Sequence, residues 1–313
     1  MLKVDNLTLF HLENKEKHYL LKDIKISINS GDCLGIISKT GDGKSTLAKA
    51  LLKIYDKNIY LESGSVSLNG KEVDNSHRGK DIILIFQNPN SYLNPTMKVG
   101  KQIDEMLIYH HKENKKTSKE KALALMEEVG IENAKEIYSY YPHEISGGMQ
   151  QKICLCIALI CNPKVIILDE FTSYLDKTSK INILRIIKKL QLKRKFTLII
   201  ISHDFKEIYN MCNKIAIMRK GQLIEIGDKD EIILNPVHPY TIELLLDYLR
   251  YYDNIPGFTC PTMEIEQIKP APLTHVNDNH DVRSWYLDER SIKLELPSNF
   301  RKLKEKIYET LRN

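Results

Sequence analysis

A continuous apolar run, Cys33-Leu34-Gly35-Ile36-Ile37, feeds directly into Ser38-Lys39-Thr40-Gly41-Asp42-Gly43-Lys44-Ser45-Thr46. A run apolar on both faces is what a strand in the middle of a parallel sheet requires. Gly41 and Gly43 open backbone angles closed to other residues and let a ligand approach closely. A helical pattern follows from Ser45 to about Ile54. Strand, glycine loop and helix together aim a nest of backbone N–H groups and a helix dipole at one point, a geometry suited to phosphate oxygens.

The rest of the chain supplies partners for that strand. Residues 82–86, 165–168 and 197–201 are further apolar runs, with a helical pattern over 179–192 between the last two. Residues 2–9 and 24–28 alternate apolar and polar, as half-buried strands do. Asn69-Gly70 and Lys220-Gly221 each separate two short strand patterns and mark hairpins. Residues 100–161 read as helical. Strand, loop and helix in repetition predict an α/β fold with a largely parallel sheet. To it are added an N-terminal antiparallel β subdomain and a helical subdomain over about 89–163. Pro236, Pro239, Pro256, Pro261, Pro270, Pro272 and Pro297 are seven of the chain's 11 prolines. Residues 254–285 are therefore expected to be irregular and extended, with a charged surface helix over 299–312. The expected division is a domain of 1–245 and a C-terminal extension of 246–313.

Bulk properties narrow the function. The 313 residues carry 46 basic and 41 acidic side chains, a mild net charge of +5. Nucleic-acid binding would call for a concentrated basic face, so no nucleic-acid partner is expected. No apolar stretch approaches the roughly 18–20 residues needed to cross a bilayer. The N-terminus does not read as a secretion signal. The expectation is a soluble, cytoplasmic chain whose membrane role, if it has one, comes through a partner. Cys154, Cys156 and Cys161 cluster in an apolar helical run without nearby histidines, and read as core filling rather than a metal site. His110-His111 lacks the further ligands a metal needs.

Lys44 is placed to neutralise β- and γ-phosphate charge, and Ser45 to offer its hydroxyl oxygen to Mg²⁺. Serine at 38, where the strict motif has glycine, is expected to strain the start of the loop slightly. Asp169 ends a buried apolar strand, where a carboxylate is costly unless it serves an ion; a water-mediated Mg²⁺ contact is its expected role. Glu170 follows directly and can orient, or take a proton from, water attacking the γ-phosphate. Ser146-Gly147-Gly148 opens a helix and forms a second anion site.

Taken together, these elements resemble the ATP-binding subunit of an ABC transporter. Residues 38–46 resemble its Walker A motif, 165–170 its Walker B and 145–151 its signature, normally Leu-Ser-Gly-Gly-Gln. Gln87 resembles the Q-loop glutamine, Tyr174-Leu175-Asp176 the D-loop, and His203 in Ile-Ser-His-Asp the switch histidine. The resemblance covers about residues 2–245 and implies a P-loop NTPase core with an ABC-type helical subdomain. It implies ATP and Mg²⁺ as ligands, with Glu170, His203 and Gln87 catalytic. The nucleotide would be held by Ser38, Thr40, Gly41, Asp42, Gly43, Lys44, Ser45 and Thr46. Ser146, Gly147, Gly148 and Asp176 would reach the nucleotide of a second subunit, and Ser45, Gln87 and Asp169 would serve the metal. Tyr19 is the candidate for stacking on adenine, with Phe10 and His18 as alternatives.

Three further stretches, residues 86–97, 141–149 and 235–241, resemble the importer group for oligopeptides, dipeptides and nickel. That resemblance implies a sister ATP-binding subunit, two membrane permeases, an extracytoplasmic solute-binding protein and a peripheral place on the cytoplasmic face of the membrane. Nickel or a metal chelate is the alternative solute; a soluble non-transport ABC ATPase and a non-hydrolysing regulatory subunit are remoter readings. In 235–241, Pro239 reads as a helix start, so His238 and Tyr240 need no site role. Many members carry four cysteines in the tail for an iron–sulfur cluster. Here Cys260 stands alone and Ser284 takes a usual cysteine position, so no cluster is expected.

Overall fold

Asn14 and Lys15, both with left-handed φ (49° and 69°), turn the chain sharply between two long strands. These are β1 (Leu2–Glu13) and β2 (Glu16–Ile28), and both run beyond the segments marked by alternation alone. They join β4 (Ile59–Leu68) and β5 (Lys71–Glu72) in an antiparallel sheet ordered β2-β1-β4-β5. Asn69 and Gly70 take φ of 52° and 78°, the mirror-image turn that suits the twist of a hairpin. The computed structural model describes residues 1–86, 92–253, 273–277, 279–283, 307, 310 and 311.

The second sheet forms around β3 (Cys33–Ile37). Its eight strands run β11-β12-β10-β9-β3-β8-β7-β6. β6 (Ile82–Ile85), β7 (Val165–Asp169), β8 (Thr197–Ile201) and β9 (Lys214–Arg219) are parallel to β3. β10 (Gln222–Asp228) turns back antiparallel after Lys220-Gly221. Every residue of β3, β7 and β8 is buried, because both faces of the sheet are covered. Alternate side chains enter different cores: Ile166 and Leu168 face the helical side, Val165 and Ile167 the side shared with the antiparallel sheet. A period of two along each strand therefore builds two cores at once.

α1 (Lys44–Ala50) follows β3, α6 (Lys177–Arg194) joins β7 to β8, and α7 (Phe205–Met211) follows β8. Between β6 and β7 lie α2 (Val99–His111), α3 (Lys115–Glu128), α4 (Ala134–Ile137) and α5 (Gly147–Leu159), which form the expected helical insertion. Asn114 starts α3 by accepting the N–H groups of Lys116 and Thr117. Cys154, Cys156 and Cys161 are buried free thiols in the helical-side core. Burial pushes the Cys154 thiol up to about 12, so it packs as a neutral hydrophobe.

Beyond β10 come α8 (Lys229–Leu234) and α9 (Pro239–Asp253), then β11 (Leu273–Asn277) and β12 (His280–Arg283). The extended, irregular tail expected from its prolines is thus corrected in part. Within 273–283 the chain forms a hairpin, and β12 pairs with β10 to lengthen the main sheet. Of the expected 299–312 surface helix, Ile307 and Leu311 are buried against the helical-side core; most of that stretch, with Cys260 and Ser284, lies outside the described residues.

β3 and α7 approach at Gly35, where an added Cβ would lie 2.2 Å from Ile208 Cγ2 and 3.2 Å from Cys212 Sγ. Gly35→Ala is expected to lower stability by ~1–3 kcal/mol through overpacking. Urea unfolding of the variant should show a lower midpoint with an unchanged slope.

Candidate functional site

The carboxyl ends of β3, β7 and β8 carry the loops that hold the candidate residues. The loop after β3 turns at Gly41 (φ 91°) and Gly43 (φ 100°). Gly43 stands at the start of α1, where a Cβ would press at 3.1 Å on the Leu20 carbonyl and on Met218 Cε. Only glycine combines that φ with that approach. Ser38 is buried, donates its hydroxyl to the Lys39 carbonyl at 3.0 Å and is absent from the positive-φ residues. The expected strain at Ser38 is therefore not found. Thr40 and Gly41 form the exposed crest, and Ser45 and Thr46 lie in the first turn of α1.

Lys44 is buried, and its ammonium donates to the Ser38 carbonyl at 2.6 Å and the Lys39 carbonyl at 3.4 Å. Its third neighbour is the Glu170 carboxylate at 3.9 Å. Burial lowers its pKa, while Glu170, Asp42 and Asp169 oppose the shift. This is a desolvated cation seated on dipoles, ready for a stronger anion.

Asp169 is 5% exposed, and its Oδ1 has no hydrogen-bond partner. Burial raises its pKa, against a lowering hydrogen bond from Ser45. An orphaned buried carboxylate oxygen beside a serine hydroxyl at the foot of a phosphate-binding loop fits the oxygen donors Mg²⁺ prefers. Ser45 and Asp169 are the residues that would hold it. Gln87 lies outside the described residues.

Glu170 adopts φ 50°, a left-handed backbone unusual for glutamate. Its N–H donates to the Ile201 carbonyl at 2.9 Å, which fixes this turn against the end of β8. The side chain is thereby swung toward His203 and Lys44. His203 Nδ1 lies 2.9 Å from Glu170 Oε2, and Ser173 Oγ donates to the same oxygen at 2.7 Å. Burial alone would raise the Glu170 carboxyl; the hydrogen bonds from His203 and Ser173, with the positive charges nearby, outweigh it and hold it below its usual range. The hydrogen bond to Glu170 raises His203 above its usual 6.5. The His203 side chain is 69% exposed, so it is free to turn toward a ligand. A carboxylate, an imidazole and an ammonium within reach of one another can orient water and stabilise charge developing on a phosphoryl group.

Ser146 caps α5, accepting the Met149 N–H at 3.3 Å. Around Gly147 no atom lies within 4 Å of a built Cβ, and at Gly148 the nearest is Ser179 Oγ at 3.8 Å. Gly147 is exposed and Gly148 half-buried, so the start of α5 has room beside it for a group from outside the chain. Gln151 of the same helix donates to the Phe171 carbonyl at 2.7 Å, tying α5 to the loop after Glu170. Asp176 caps α6, accepting Thr178 and Ser179 N–H groups at 3.0 Å. Tyr19 is 42% exposed on β2, one residue from the Leu20 carbonyl that meets Gly43. Phe10 stacks on Tyr60 (centroids 5.6 Å, 26°) and meets Tyr19 edge-on (6.4 Å, 65°), while the Tyr19 hydroxyl donates to Glu62 Oε1 at 3.2 Å.

Two side chains escaped the motif reading. Ser173 holds the Glu170 carboxylate. Tyr240 donates its hydroxyl to Asp42 Oδ2 at 3.1 Å, although its sequence context signals only a helix start.

Comparison with known proteins bears on the family and the fold. A family profile described as ABC transporter matches residues 21–173. The chain is 36% identical over 309 residues to the oligopeptide transport ATP-binding protein OppD of Bacillus subtilis, covering 88% of this chain and 86% of that protein. Over 322 residues it is 32% identical to the oligopeptide transport ATP-binding protein AmiE of Streptococcus pneumoniae, with 93% and 90% covered. A dimeric ATP-binding cassette in a post-hydrolysis state bound to ADP and Pi superposes with TM-score 0.64 at 24% identity, covering 73% of this chain and 99% of that one; this likeness speaks for the fold.

The shared hydrogen makes a direct test of the site. A ¹H–¹⁵N titration of His203 should give a midpoint above 6.5, because the Glu170 carboxylate stabilises the imidazolium. In Glu170→Gln that carboxylate charge is gone, and the midpoint should fall.

Proposed function

Because this chain belongs to the ABC transporter family of ATP-binding proteins, and so is an ATPase, we propose that it energises an importer of oligopeptides or dipeptides. The relatives named above, together with a dipeptide transport ATP-binding protein of Lactococcus lactis at 32% identity over 88% of this chain, support a peptide solute. We assign it a peripheral place on the cytoplasmic face of the membrane, with two permease subunits, a sister ATP-binding subunit and, indirectly, an extracytoplasmic solute-binding protein. Among the described residues no helix is long and apolar enough to cross a membrane, which fits attachment through such partners.

The observation that carries the catalytic assignment is the convergence of Lys44, Glu170 and His203. The loop amides of 40–46 and the start of α1 receive the β- and γ-phosphates. Lys44 exchanges its two carbonyl contacts for phosphate oxygens, a stronger partner for a buried cation. Bound through Ser45 and Asp169, and by assignment Gln87, Mg²⁺ would supply charge neutralisation across the phosphates. Glu170 orients the attacking water and accepts its proton. His203 leaves Glu170 to hydrogen-bond the γ-phosphate. That exchange frees the carboxylate at the moment a ligand arrives.

Ser146, Gly147 and Gly148 cover the γ-phosphate bound by a second subunit, and Asp176 lies at the same junction. Support comes from their position: Ser146 and Gly147 are exposed at the start of α5, with open space around the Gly147 Cα. Tyr19 stacks on the adenine ring, next to the loop it must serve.

Glu170→Gln keeps the shape of the side chain and removes its basicity. It is expected to bind ATP, accumulate as an ATP-bound dimer on gel filtration, and lose hydrolysis by roughly 10²–10⁴-fold, the usual share of a general base. Undiminished turnover in that variant overturns the assignment of Glu170. Full transport by this subunit alone with its permeases would count against a sister ATPase.

A further inference from the structure

Asp42 is the most heavily tethered residue of the loop after β3. Its Oδ2 accepts the Lys39 N–H at 3.1 Å, closing the turn across Gly41. Its Oδ1 accepts the Lys220 N–H at 2.9 Å, and its carbonyl accepts the Gly221 N–H at 2.9 Å. The remaining donor is the Tyr240 hydroxyl, 3.1 Å from Oδ2. Tyr240 belongs to α9, 198 positions along the chain. It is 4% exposed, and the Arg219 guanidinium lies 4.5 Å from its ring centroid. Burial, with the nearby Asp42 charge, raises the phenol, so it stays a donor. One turn further along α9, Glu243 takes the Lys39 ammonium at 2.9 Å, with Asp247 at 3.4 Å. Both neighbours of Gly41's turn are thus held from the same helix.

α9 is itself held from β10 and the tail. Glu225 of β10 has no exposed surface. It accepts the N–H groups of Val237 at 2.8 Å and His238 at 3.2 Å, together with the Thr241 hydroxyl. Its fourth partner is His280 Nε2 of β12, at 2.7 Å. A fully buried carboxylate with several donors is costly to disturb, so it fixes the elements it joins. Arg283 secures the same hairpin to the Leu223 carbonyl at 3.2 Å and to Asp23 Oδ2 at 3.0 Å. A continuous line of hydrogen bonds therefore runs from β12 through Glu225 and the first turn of α9 to Asp42.

We propose that Tyr240 is a positioning residue for ATP: its hydroxyl holds Asp42, and with it the shape of the phosphate-receiving loop, while the β11–β12 hairpin sets where Tyr240 stands. The chain beyond the core thereby tunes nucleotide affinity without touching nucleotide. This rests on reading 38–46 as the phosphate cradle.

The test is a KM-against-kcat split on the full chain. Tyr240→Phe keeps the ring and its cation partner and deletes one hydroxyl. It should raise the KM for ATP roughly three- to tenfold with kcat within about twofold, as loss of uniform binding does. Asp42→Ala should raise KM in the same way, and adding Y240F to D42A should change nothing more. His280→Ala should move KM in the same direction by a smaller factor, and its effect should vanish in the Y240F background. A normal KM in Y240F, or a KM rise of equal size with and without Asp42, overturns the proposal. If Y240F does not fold, D42A and H280A decide it by the same criterion: a normal KM in both sinks it. Lys44→Ala separates the two readings. Should K44A keep normal ATP binding, the cradle assignment fails; should K44A lose it while Y240F and D42A keep a normal KM, the brace alone fails.

Discussion

Parallel hydrogen bonding places β3 between β8 and β9, with Gly35 opposite Ile200 on one side and Ile215 on the other, and β7 beside β8 with Asp169 opposite Ile201. Because these strands point the same way, their carboxyl ends finish on one rim. The loop of 38–46, the pair Asp169–Glu170 and the segment Ser202–His203 emerge together there, although they are far apart in sequence. An antiparallel arrangement would send every second loop to the far rim. The apolar runs that bury each strand on both faces are therefore the first requirement of the site, and the charged groups come after.

The charges themselves are placed where water cannot reach them well. Lys44 and Asp169 are buried, and Glu170 adopts a backbone angle that costs on the order of 1 kcal/mol or more for a residue with a Cβ. Such costs persist only where surrounding structure enforces them. Here the enforcing contacts are the Glu170 N–H to Ile201 bond, the Ser173 hydroxyl and the tie from Gln151 to Phe171. The last of these reaches into α5, so the helix that begins with the exposed glycines shares a support with the loop that carries the carboxylate.

Much of this was legible in the sequence because the relevant signals are local. Asn69-Gly70 and Lys220-Gly221 specify turns within two residues, and the apolar runs of β3, β6, β7 and β8 declare themselves without reference to a partner. Lys44, Asp169 and Glu170 stand out by residue type at a strand end or in the loop after it, whereas His203 is singled out only by the resemblance of Ile-Ser-His-Asp to a switch histidine. The length of β1 and β2 was not legible, since Asn14-Lys15 contains no glycine and the polar residues of 10–20 hide the pairing. The β11–β12 hairpin was missed for another reason: the prolines that precede it, Pro256, Pro261, Pro270 and Pro272, argued against strands, and the pairing of Glu225 with Val282 that stabilises it spans most of the tail. Tyr240 escaped because its partner lies in a loop near the other end of the chain. Contacts between distant segments leave no trace in spacing.

Strand β12 occupies the place where β10 would otherwise end the sheet, and it brings His280 against a carboxylate sealed from solvent. A polypeptide stopped soon after α9 would lose both. The edge of β10 would then offer a row of unpaired amides and carbonyls to any neighbouring chain, and Glu225 would lose the His280 ring as a partner. Edges of that kind invite association. The residues that look most dispensable in a linear diagram act, in three dimensions, as the hem that keeps the fabric from fraying.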